Sequence, residues 1–150
     1  MIEQQIEQDV KTAMLARDSH RVETLRGLKS VFLYAKVASD SRDSVLSDTE
    51  AISLLSKEAK KRQESADLYV QGGDQVRADK ELSEKAMIES YLPAKLDESA
   101  LSAIIDEVIA GAGSLDEKNL GQIIGLVKAK TAGSADGGDI ARLVKAKLQN

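Results

Sequence analysis

Apolar residues recur every three or four positions along nearly the whole chain, and a single proline, Pro93, interrupts them. This pattern most constrains the fold, because a period near 3.6 puts each apolar set on one face of a helix. A strand would require alternation with period two, and no segment sustains it. Ile2, Ile6, Val10, Ala13 and Met14 predict a first helix to about Arg17. Asp18-Ser19 punctuates, with Ser19 available as a cap. Val22, Leu25, Leu28, Phe32 and Ala35 predict a second helix to about Ser39, followed by a polar loop from Ser39 to Ser44.

Ser47-Asp48-Thr49-Glu50 has the form of a capping box, in which serine oxygen and glutamate side chain satisfy each other's backbone N–H groups. It opens a third helix through Ile52, Leu55, Ala59, Arg62, Ala66 and Tyr69, closed by Gly72-Gly73. Asp74 caps a fourth, ended at Tyr91-Leu92 because Pro93 disfavours helical geometry in the residue before it. Asp97 caps a fifth, through Leu101, Ile104, Ile105, Val108 and Ile109, with Gly111 as its stop. Ser114-Leu115-Asp116-Glu117 is read as a second capping box for a sixth helix through Leu120, Ile123, Ile124 and Val127 to Gly133. Asp136 caps the seventh, with Ile140, Leu143, Val144 and Leu148 turned inward. The expectation is an all-α fold: an N-terminal helical hairpin region over residues 1–92, then a small three-helix bundle over 93–150, with Pro93 at the boundary.

Composition narrows the chemistry. The core must be aliphatic, because Phe32, Tyr34, Tyr69 and Tyr91 are the only aromatic residues. No cysteine is present, which excludes disulfides, thiolate nucleophiles and cysteine metal sites. No apolar run approaches the roughly 20 residues of a membrane span. The N-terminus has neither a secretion nor a mitochondrial leader pattern, so a cytoplasmic protein is expected. The one histidine, His20, lies beside the Ser19 cap and reads as a surface residue rather than a catalytic base. Asp136-Gly137-Gly138-Asp139 lacks the ligand pattern of a calcium loop. No metal, no cofactor and no phosphate-binding loop are expected, and no catalytic residue is assigned.

The C-terminal segment is the functional lead. From Lys118 to Asn150 six Lys/Arg stand against two Asp, a net charge of +4, on a chain whose overall charge is −4. Glycine inside a helix costs about 1 kcal/mol relative to alanine. Gly121 and Gly125 therefore imply a close approach, either of another helix or of a ligand backbone. Lys128, Lys130, Arg142, Lys145 and Lys147 surround them with little acid nearby in sequence, as a backbone-reading RNA surface would require. The alternative is structural: glycines for tight helix crossing, and lysines favouring the helix C-termini. A second basic cluster, Lys57, Lys60 and Lys61, lies on one face of the third helix. A solvated face with intrahelical ion pairs accounts for it most simply, and a second RNA contact is its functional reading. Two features oppose RNA binding: residues 93–117 carry −5, and no aromatic follows Tyr91 to stack on bases.

Arg21-Val22-Glu23-Thr24-Leu25-Arg26, Lys57 to Ser65, Tyr91-Leu92-Pro93-Ala94-Lys95-Leu96, the Gly121/Gly125 helix and the Ala135-Asp136-Gly137 turn occur in an order that resembles the YqeY-like family over the full chain. That family is related to the tail domain of GatB, the B subunit of tRNA-dependent amidotransferases. The resemblance implies a two-part helical protein whose tail contacts tRNA. Its implied partners are tRNA, an aminoacyl-tRNA synthetase or an amidotransferase. The family-level label is carbon–nitrogen ligase with glutamine as amide donor, but the chain has no counterpart of the domains that perform that chemistry. The rival readings are a protein-interaction module without nucleic-acid binding, and a hydrolase or ligase for which the sequence offers no residue set.

Overall fold

The computed structural model describes residues 1–150 and contains seven α-helices and no strand. They are α1 (Ile2–Leu15), α2 (Ser19–Ala38), α3 (Asp48–Gln71), α4 (Gln75–Glu89), α5 (Glu98–Ala112), α6 (Leu120–Thr131) and α7 (Gly137–Leu148). The chain divides into two compact units, Met1–Leu92 and Pro93–Asn150.

In the first unit, α1 and α2 run antiparallel, with Asp9 facing Arg21, Glu7 facing Lys29 and Glu3 facing Lys36. α3 and α4 form the second antiparallel pair, closed by Gly73 in the left-handed region at φ 78°. The capping box of Ser47 and Glu50 forms in full, and its hydrogen bonds hold the Glu50 carboxyl below the usual carboxylate range. One apolar core, aliphatic apart from Phe32, joins the four helices through Ile6, Leu25, Leu28, Phe32, Leu55 and Ile88. Lys36 fastens the loop before α3. Its Nζ donates to Glu3 at 2.5 Å and to the Ser44 carbonyl at 2.9 Å, while Glu3 accepts from the Leu46 N–H.

In the second unit, α5, α6 and α7 pack pairwise around Leu101, Ile105, Ile123, Val127, Ile140 and Val144. Asp97 and Asp136 cap α5 and α7 through the N–H groups of Ala100 and Gly138. Ser134, in the α6–α7 turn, accepts from the Leu96 N–H at 2.8 Å and ties that turn to the segment entering α5.

Three local expectations are corrected. Asp18, not Ser19, caps α2 by accepting from Arg21 N–H, since a carboxylate is the stronger acceptor. α5 passes through Gly111 and stops at Gly113, the glycine with positive φ, 81°. The expected box at Ser114–Glu117 does not form. Asp116 and Asn119 instead exchange side-chain-to-backbone bonds of 2.9 and 3.0 Å, so α6 starts only at Leu120, after Asp116 and Asn119 have closed the turn.

Candidate nucleic-acid interface

α6 carries the two glycines one turn apart, with Lys128 three residues beyond Gly125, so all three share one face. A Cβ built at Gly121 or Gly125 meets no atom within 4 Å. The structural alternative, glycines for tight helix crossing, therefore does not apply to them: both positions lie on an open surface. Close approach occurs one helix later. A Cβ at Gly137 would stand 3.1 Å from Lys128 Cε and 3.3 Å from its Nζ, so the Lys128 side chain lies across the first residue of α7. The left-handed Ala132 and Gly133, at φ 46° and 88°, reverse the chain tightly enough to set α7 there.

The basic residues of α6 and α7 separate into two sets. Lys130 reaches Glu107, Lys147 lies 2.7 Å from Asp106, and Arg142 lies 3.2 Å from Glu98, all on α5. Arg142 also meets Asp139 at 3.6 Å, and its hydrogen bond to Glu98 holds the guanidinium more firmly protonated. The tail has little acid among its sequence neighbours but several carboxylates beside it in space. α5 belongs to the acidic stretch, and packing brings its carboxylates to both neighbouring helices. Lys128 and Lys145 are exposed and form no ion pair. The candidate surface thus reduces to Gly121, Gly125, Lys128 and Lys145 as free elements, with Lys130, Arg142 and Lys147 engaged at an exposed, salt-sensitive rim. The whole second unit carries −1, since the −5 of residues 93–117 offsets the +4 that follows.

On α3, Lys57 and Lys60 are exposed without ion pairs, and Lys61 pairs with Glu58 at 3.4 Å. This cluster lies in the other unit. Its neighbour Arg62 turns inward instead and meets Glu81 at 3.2 Å and Glu84 at 2.5 Å. Neither acid was singled out in the sequence, although the spacing of Glu81, Glu84 and Ile88 placed them on the inner face of α4.

His20 Nε2 stands 3.5 Å from Ser83 Oγ, across from α4. This contact is long, and no carboxylate bonds to the ring, so it lacks the oriented base of a hydrolytic triad. No group of three or more His, Asp or Glu could hold a metal ion, and no helix is long and apolar enough to cross a membrane.

The sequence profile described as "Yqey-like protein" matches residues 3–148. The protein called "Altered inheritance of mitochondria protein 41, mitochondrial", from Eremothecium gossypii, is 33% identical over 89 residues. That alignment covers 59% of this chain and 48% of the relative, so the match spans about half of the relative's length.

Proposed function

The chain belongs to the YqeY-like family, and on that premise we propose that it is a small accessory protein that binds tRNA, or an enzyme that handles tRNA, through α6 and α7. The observation that carries the reading is the open face of α6. A Cβ on either helical glycine, Gly121 in the first turn of α6 or Gly125 in its interior where glycine costs about 1 kcal/mol, would meet nothing beyond its own helix, and Lys128 and Lys145 lack a carboxylate partner. A helix that bears this cost where its own fold gains nothing fits a surface that a backbone must approach. In this proposal the relationship to the amidotransferase tail supplies the RNA class, and the contacts are to phosphate and sugar rather than to base edges. The chain acts without a cofactor, as a binding protein rather than a ligase, and works in the cytoplasm.

Anisotropy titration with bulk tRNA at low and near-physiological salt tests this. Each phosphate contact adds about 0.7–0.9 to the slope of log affinity against log salt. Lys128→Ala/Lys145→Ala should weaken binding and flatten that slope by nearly two contacts. Lys130→Ala/Lys147→Ala should do less, because those amines already face carboxylates. Absence of binding at low salt would remove direct tRNA recognition.

A second reading, a protein-interaction module, draws on a different observation. Twelve large apolar side chains are substantially exposed, and eleven of them lie in the first unit.

A further inference from the structure

The motif Arg21–Arg26, which the tail does not use, forms one wall of a groove at the α1–α2 corner. Met14, Arg17, Ser19, Val22, Glu23 and Arg26 line an open depression of about 630 Å³. Ser19, Val22, Glu23 and Arg26 stand at positions i, i+3, i+4 and i+7 along α2, so they present one continuous strip. Met14 and Arg17 close the other side from the end of α1.

Its charges are unusual for this chain. Of seven arginines, Arg21, Arg62, Arg77 and Arg142 hold ion pairs, whereas Arg17, Arg26 and Arg42 hold none. Two of these three free guanidiniums therefore line the same groove. The one hydrogen bond of the Arg26 side chain goes to a thioether, with Nη2 at 3.7 Å from Met14 Sδ. A guanidinium is a planar fork whose geometry matches a carboxylate with two parallel hydrogen bonds. The apolar component is equally open: Met14, on the groove wall, is 51% exposed. An unbranched, polarizable methionine adapts to differently shaped apolar partners. The groove accordingly offers an apolar floor between two forks seeking anions.

A carboxylate-bearing peptide fits this set better than a phosphate backbone. Glu23 on the same wall and the acidity of the first unit, with 14 Lys/Arg against 17 Asp/Glu, repel a backbone charged at every nucleotide far more than a peptide with one or two carboxylates set against the two guanidiniums. RNA would also leave Met14 uncovered. We infer that the α1–α2 corner is a docking site for an acidic peptide segment of a partner protein, in which Asp or Glu side chains pair with Arg17 and Arg26 while a neighbouring Leu, Met or Phe side chain covers Met14 and Val22.

A library of random dodecapeptides displayed on phage, selected on the full chain, tests this. The recovered peptides, made synthetically and labelled, are then titrated by anisotropy. Enriched sequences should combine Asp/Glu with large apolar residues. Arg17→Glu/Arg26→Glu should weaken them at least tenfold, and Arg17→Lys/Arg26→Lys should weaken them less. Lys128→Ala/Lys145→Ala should leave them unchanged, which separates this site from the tail. Failure to enrich any peptide, enrichment without acidic residues, or full affinity in the charge-reversed variant would each overturn the inference. Displacement of the peptide by bulk tRNA from wild type and from the lysine variant alike would overturn it too, by assigning the groove to RNA.

Discussion

Arg62 on α3 holds Glu84 on α4, with Nη1 2.5 Å from Oε2 and the Glu84 side chain only 7% exposed. The same guanidinium reaches Glu81 and Glu58, so three carboxylates converge on one arginine. Removing Arg62 leaves Glu84 buried beside other anions, with only the half-exposed Lys80 amine, 3.9 Å away, still facing it. Arg62→Met should destabilise the protein by about 2–3 kcal/mol, because a buried charge that loses its closer partner is costly and the distant Lys80 offsets only part of it. Adding Glu84→Leu should recover most of that loss, since an apolar pair can replace a buried ion pair at little cost. Urea unfolding of both variants measures this. Equal instability of single and double variants would rule the account out.

Tyr91 donates to Asp9 at 2.5 Å, and Arg21 lies 3.9 Å beyond on the same carboxylate. Burial, then the Asp9 hydrogen bond, raises the phenol well above the ordinary tyrosine value. The folded pKa is the higher one, so this stabilisation is complete below the unfolded value of about 10 and is lost as pH rises above it. Stability should therefore fall with a slope approaching one proton above about pH 10. Tyr91→Phe should remove that proton's share and cost about 1 kcal/mol at neutral pH. Unfolding curves across alkaline pH, with tyrosinate absorbance as the second readout, check both.

Gly121→Ala and Gly125→Ala should each stabilise the protein by about 0.5–1 kcal/mol. A Cβ there meets nothing, and alanine restricts the unfolded chain more than glycine does. Under the proposed function the same methyl groups stand where RNA approaches, so tRNA affinity should drop as melting temperature rises. A more stable double variant with unchanged tRNA affinity would remove the glycines from the interface.

Arg17 occupies the left-handed region at φ 58°, just past the end of α1, where glycine is the usual residue. Arg17→Gly should stabilise by up to about 1 kcal/mol through lost steric strain, partly offset by the freer unfolded chain. It should also weaken any acidic peptide bound at the α1–α2 corner. Thermal unfolding and anisotropy on this one variant move in opposite directions if Arg17 is kept for its guanidinium.

The helices were legible in the sequence because what starts and stops them is local. Ser47 with Glu50, and the caps Asp74, Asp97 and Asp136, each act across two or three residues, and Gly73 adopts the turn conformation on its own. The local errors were contests between neighbours of similar capacity: Asp18 against Ser19, Gly113 against Gly111, and Asp116 with Asn119 against Ser114 with Glu117. A residue string shows the candidates in such a contest but not the backbone angles that decide it.

Charge was different. The string shows a basic tail after an acidic segment, yet it does not show that Lys130, Arg142 and Lys147 fold onto Glu107, Glu98 and Asp106. It does not show that Arg62 is withdrawn from its lysine cluster into α4, or that two unpaired arginines share one groove. Electrostatic partners depend on which helix faces cross and in which register. Capping geometry is fixed by the chain within one turn, whereas a crossing is fixed by the packing of whole apolar faces, so only the tertiary structure decided which cations remain available to a ligand.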